Sequence, residues 1–112
     1  FKKEGVISIP YVEDADLPFV YQSAKAFVFP SLYEGFGLPP LEAMASQIPV
    51  VVSSLASLPE ICQDAAEYVN PFSIESIQKG LVAVLDHVSH RETLIAKGKK
   101  QAEAFSQARM AE

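Results

Sequence analysis

The sequence predicts an α/β domain, a mainly parallel sheet with helices on both faces. Three observations carry this expectation. Apolar runs of strand length alternate with amphipathic stretches of helix length, and strands separated by such helices pair in parallel through right-handed crossovers. The chain is 112 residues long and 49% hydrophobic, enough for one sizeable core and too short for two. No internal repeat, linker or low-complexity tract interrupts it, so residues 1–112 are read as a single domain.

Val6 to Ile9 is a short, β-branched run and the first expected strand. Asp16-Leu17-Pro18 then opens a helix, because proline is tolerated in a first turn, with an apolar face of Leu17, Val20, Tyr21 and Ala24. Ala26 to Phe29 is apolar on both faces and stops at Pro30, as a buried strand does, and Pro39-Pro40 starts a helix running to about Gln47. Val50 to Val52 is a second buried strand, Ser57-Leu58-Pro59-Glu60 opens a short helix, and Glu67 to Val69 is a weaker strand. Ser73 caps a helix carrying Ile74, Ile77, Leu81, Val84 and Leu85 on one side; Ser89-x-x-Glu92 is a capping-box pattern before the last helix. Four strands are fewer than the roughly five or six of a complete doubly wound fold, so the architecture expected is part of a larger Rossmann-like, three-layer α/β/α domain.

Composition excludes several functions. A net charge of −5 disfavours a nucleic-acid backbone or an anionic membrane surface as partner. The one cysteine, Cys62, excludes an internal disulfide and fits a reducing, cytoplasmic setting, and it forms no familiar metal-ligand spacing with His87 and His90. The longest uncharged stretch, Ala43 to Pro59, is broken by Ser, Gln and Pro, so no direct membrane insertion is expected. Cys62 itself is expected to be buried and inert, His87 and His90 solvated or capping, and Arg91, Lys97, Lys99 and Lys100 the solvated face of the last helix.

In an open parallel sheet ligands bind beyond the carboxyl ends of the strands, which directs attention to the loop Pro30 to Pro39. Gly35 and Gly37 let backbone amides approach a ligand, and the helix opened by Pro39-Pro40 aims free N–H groups at an anion. The segment is neither a dinucleotide fingerprint, since Pro40 stands where a third glycine is needed, nor a Walker loop, since no lysine follows. Glu34 in the loop and Glu42 in the first helical turn bracket the glycines, so both are placed to accept from the hydroxyls of one ligand. Glu67 and Glu75 have the same spacing without those surroundings, which makes them a decoy. Tyr33 and Phe36 are expected to pack under the loop rather than to stack on a ligand.

From Val6 to about Phe105, and most specifically from Phe27 to Ala45, the sequence resembles the donor-binding half of the retaining family 4 (group 1) glycosyltransferases of GT-B fold. Pro49-Val50-Val51-Val52-Ser53, Leu58-Pro59-Glu60, Asp64-Ala65-Ala66 and Phe105-Ser106 follow in the family's order. The resemblance implies that Glu34 contacts donor-sugar hydroxyls and is the catalytic-site residue, that Glu42 binds the ribose hydroxyls, and that Gly35, Phe36, Gly37 and Leu38 present amides to the sugar and diphosphate. It also implies that backbone near Val12 meets the base edge. The partner is then a nucleotide sugar with an acceptor left open, and neither a cofactor nor an obligatory metal is required. Two positions depart from the family: Ser46-Gln47 replaces a common glycine after the second glutamate, and Pro10 replaces one before Tyr11-Val12. The family's diphosphate-binding Arg and Lys and its acceptor-binding N-terminal domain have no counterpart here, and no lysine or arginine lies between Lys25 and Lys79. The isolated chain, a truncated C-terminal domain on this reading, is therefore expected to be inactive. A Rossmann-like nucleotide-binding or interaction module without sugar transfer is the alternative.

Overall fold

A computed structural model describes residues 5–9, 11–30, 38–55 and 57–110. The elements run α1 (Leu17–Ser23), β1 (Phe27–Phe29), α2 (Leu38–Ala45), β2 (Val50–Ser53), α3 (Leu58–Cys62) with a single 3-10 turn (Gln63–Ala65), β3 (Glu67–Val69), α4 (Ile74–Asp86) and α5 (Val88–Met110). The strands form one parallel sheet in the order β1-β2-β3, with Val51 opposite Val28 on one side and Glu67 on the other. The α/β class and the parallel pairing are as the sequence predicts.

The pleat divides the core. Val50 and Val52 join Phe27, Phe29 and Tyr68 under α2, α3 and the later part of α5, where Leu41, Met44, Leu58 and Cys62 are buried. Val51 and Val69 point the other way, to Val84 of α4 and Leu94 of α5, with Ile77 and Leu81 packed at the margin. All of β2 is buried because it is central and covered on both faces. Gly80 lets α4 approach the sheet closely, facing Val69 and Val51.

Several expectations are corrected. Val6 to Ile9 is not a strand: it has no ladder partner among the described residues, and Val6, Ile7 and Ile9 are exposed. β1 is an edge strand with Val28 exposed, not a run buried on both faces. The apolar face of α1 holds no buried residue, and only Tyr21 of that face packs on the core. On α4 the face follows Ile77, Gly80, Leu81 and Val84, leaving Ile74 and Leu85 exposed, because Ile74 is the first helical residue and precedes the packed turns. The Ser73 cap is present, its hydroxyl accepting from the Ser76 amide at 3.0 Å. The capping box is not, because α5 already begins at Val88 and Ser89 lies inside it. Arg91 is also not merely solvated: its guanidinium donates to the Leu85 carbonyl at 2.9 Å, closing the end of α4.

Candidate functional site

β1 ends at Phe29, and α2 starts at Leu38 with Pro39 and Pro40 in its first turn. Pro40, Leu41, Ala43 and Met44 are buried, Met44 facing Gly98 of α5, and Glu42 lies on the exposed side of α2 with Ala45. Glu42 is the fifth residue of the helix and not, as expected, in its first turn; the helix begins one residue ahead of the proline pair, which puts the carboxylate at the start of the second turn.

The Tyr21 hydroxyl of α1 donates to Glu42 Oε2 at 3.2 Å. Tyr21 is braced from behind by Phe27, ring centroids 5.6 Å apart and edge to face, and Phe27 stacks on Phe29 at 5.7 Å. Burial, reinforced by the Glu42 charge and hydrogen bond, pushes the Tyr21 phenol up to about 12, so it remains a donor at any ordinary pH. Asp14, Leu17, Pro18, Tyr21, Glu42, Ala45 and Ser46 line a recess of about 530 Å³ between the two helices. Among the described residues its walls carry carboxylates and hydroxyls and no cation, which suits neutral hydroxyls and not phosphate. The larger groove of about 660 Å³, bounded by Lys25, Gln47, Pro49 and Arg91, lies where strands β1 and β2 begin, at the end of the sheet opposite to that used for ligands.

Glu34, Gly35, Phe36 and Gly37 lie outside the described residues, as does the side chain of Leu38, whose backbone opens α2. Val12 is half-buried in the irregular segment that leads, through the Glu13 carbonyl accepting from Asp16 and Leu17, into α1. Among the described residues no group of three His, Cys, Asp or Glu stands close enough to hold a metal ion, and no helix is long and apolar enough to cross a membrane.

The sequence pattern of the glycosyl transferases group 1 family matches residues 2–101. The chain belongs to that family. The O-antigen chain mannosyltransferase B of Escherichia coli is 46% identical over 105 residues, 93% of this chain and 28% of that protein. Sucrose-phosphate synthase from Thermosynechococcus elongatus superposes with a TM-score of 0.77 at 26% identity, over 86% of this chain and 25% of its own. The C-terminal domain of a group 1 glycosyl transferase, LpcC of Francisella tularensis, superposes at 0.74 with 29% identity, over 86% of this chain and 51% of that domain. The chain therefore spans between 13% and 28% of the length of the curated relatives it matches. The family resemblance and the Rossmann-like class read from the sequence both hold.

The tyrosine brace is what sequence reasoning missed. Tyr21 was placed on an apolar face, and nothing in a lone tyrosine 21 residues ahead of a glutamate marks a hydrogen bond between them. The decoy pair is likewise resolved. Glu67 Oε1 is 2.7 Å from His90 Nε2 of α5, so His90 is partly exposed but paired, while Glu75 pairs with Lys79 at 3.1 Å in the first turns of α4. Lys97 of the basic cluster lies 3.4 Å from Asp64, and Cys62 is buried as expected.

Proposed function

We propose that these residues form part of the nucleotide-sugar donor site of a retaining glycosyltransferase that moves a hexosyl group to an acceptor without an obligatory metal. The observation that supports this best is Glu42: in a chain of this family, α2 presents an exposed carboxylate in a recess that offers acceptors for hydroxyls and, among the described residues, no cation. On this reading Glu42 accepts from the ribose hydroxyls, Glu34 from those of the donor sugar, the amides of Gly35 to Leu38 meet the diphosphate, and the backbone near Val12 meets the base. Residues outside this chain supply the positive charge that the departing phosphates need and the domain that binds the acceptor. The mannosyltransferase name of the Escherichia coli relative makes a mannosyl donor the first to test. A reduced compartment, the cytoplasm, suits the buried thiol.

The test uses the whole protein that carries these residues, assayed with UDP-, GDP- and ADP-linked sugars. Glu34→Gln should lower turnover about tenfold or more while hardly changing affinity for the bare nucleotide, because it acts where the sugar is positioned against the acceptor. The 112-residue chain alone should show no transfer. A second reading, nucleotide binding without transfer, draws on the absence of Lys and Arg between Lys25 and Lys79; a whole protein that binds nucleotide and never turns over would favour it.

A further inference from the structure

We propose that Tyr21 is a positioning residue for the donor site, holding one oxygen of the Glu42 carboxylate so that the other faces the nucleotide. The inference rests on the ribose role given to Glu42 above and adds to it the group that sets its geometry. Glu42 is exposed, and a free glutamate on an exposed helix stripe samples several rotamers, each of which must be given up when a ligand binds. The Tyr21 hydroxyl removes part of that freedom beforehand by donating to Oε2. Its own position is fixed from two sides. The ring packs on the core cluster and meets Phe27 edge to face, and the hydroxyl reaches across from α1 to α2 at the rim of the recess that both residues line. Among the described residues Oε1 accepts no side-chain hydrogen bond, and it is the oxygen left to accept from a vicinal diol. The phenol also stays protonated well past neutral pH, so the donor is always present.

Charge complementarity gives the same orientation. Asp14 adds a second carboxylate to the recess, and among the described residues no basic side chain lines it. A phosphate is thus turned away from this wall and a neutral hydroxylated ring is admitted, while the tyrosine hydroxyl supplies a side-chain hydrogen bond that steadies the acceptor. The Ser46 hydroxyl is committed elsewhere, donating to the Glu42 carbonyl at 3.1 Å.

The experiment is a double-mutant cycle of Tyr21→Phe and Glu42→Gln in the whole protein, read as the dissociation constants of bare UDP, GDP and ADP by isothermal titration. Tyr21→Phe keeps the ring packing and removes only the O–H, and should weaken the nucleotide that binds best by about three- to tenfold. Glu42→Gln should weaken it too, and in that background Tyr21→Phe should add little, because the two act through one contact. Thermal melts of each variant separate this from a loss of packing. If Tyr21→Phe costs affinity equally in both backgrounds, or costs none while Glu42→Gln does, the positioning role is overturned and the ribose role of Glu42 stands. If Glu42→Gln costs nothing, the ribose role falls and this inference falls with it. A direct readout covers poor folding of the phenylalanine variant: in Glu42→Gln the late tyrosinate ionisation should move earlier, and no movement would show that the two side chains do not meet.

Discussion

The two faces of the sheet each carry a glutamate held by one side-chain partner, and the two do different work. Glu42 stands on the exposed side of α2, takes a hydroxyl from Tyr21 and borders an open recess. Glu67 stands at the first position of β3, half-buried, and meets His90 of α5 at 2.7 Å. The first contact joins two elements at a rim and, among the described residues, engages only one carboxylate oxygen; the second ties the last helix to the sheet. The same spacing to another glutamate, seven residues on either side, says nothing about which is which. What separates them is the partner and the space beside it.

The largest expected effect tests that difference directly. Glu42→Gln in the whole protein turns a charged acceptor into a neutral one and should weaken bare-nucleotide binding by about 1 to 2 kcal/mol, roughly 5- to 30-fold. Glu67→Gln leaves an amide oxygen where Oε1 accepts from His90 and should leave both affinity and turnover unchanged. Titration calorimetry on the two variants decides the matter, and equal behaviour would erase the distinction drawn between them.

Next in size is a change on the Glu67 face alone. A Cβ on residue 80 would press against Val69 Cγ1 well inside van der Waals contact, with Val51 Cγ1 at 3.3 Å, and both valines are buried and short. Overpacking of this kind costs roughly 1 to 3 kcal/mol, offset by about 1 kcal/mol from replacing a mid-helix glycine. Gly80→Ala should therefore lower stability by about 1 kcal/mol or more in thermal or denaturant unfolding, with no effect on nucleotide affinity beyond that loss.

The sequence reveals the α/β class, the central strand and the position of α2 because each depends on a local signal, an all-valine run or a proline pair. It does not reveal the edges. Val6 to Ile9 has strand composition, yet a strand exists only with a partner, and none of the described residues supplies one. The Ser89 box fails for a similar reason, since Arg91 closes α4 onto the start of α5 and carries the helix back to Val88. At the candidate site, Glu42 stands out in the sequence because it follows Gly35 and Gly37, whereas the contacts of Tyr21 and His90 join elements distant in sequence. Glu34, Gly35, Phe36 and Gly37 lie outside the described residues, so of the expected glutamate pair only Glu42 is described.

Alkaline titration compares two tyrosines at a smaller scale. Tyr21 and Tyr68 are both raised to about 12, Tyr21 by burial and then by Glu42, Tyr68 by burial and then by the charges of Cys62 and Asp64. A phenol whose folded value lies above its unfolded 10 stabilises the fold in its protonated form. That stability is complete below pH 10 and is lost as pH rises toward 12. Glu42→Gln should bring only the Tyr21 step earlier, and not all the way, because burial is its larger cause. Near-ultraviolet tyrosinate absorbance should show one late step moving and the other staying; two moving together would mean that the shift is not specific to the Glu42 contact.

The smallest expected effect concerns how α2 ends, and so what holds the helix that carries Glu42. Gln47 has φ 62°, its amide donates to the Met44 carbonyl at 3.0 Å, and the Ile48 amide reaches Ala43 at 3.5 Å. This is a Schellman closure with the glutamine in the left-handed position, and Ile48 and Ala43 are buried together in one cluster. The closure answers the question raised by the missing glycine: the backbone keeps its geometry and the glutamine accepts strain. A left-handed non-glycine residue costs roughly 1 to 2 kcal/mol, while glycine gives back about 0.4 to 1 kcal/mol through the freer unfolded chain. Gln47→Gly should therefore stabilise by about 0.5 to 1 kcal/mol, and Gln47→Ala, which keeps a Cβ at the same φ, should not. Because the residue lies past the end of α2, away from Leu38, nucleotide affinity should stay as it was. Stabilisation by alanine as large as by glycine would show that the gain comes from losing the glutamine side chain and that the left-handed backbone carries no strain.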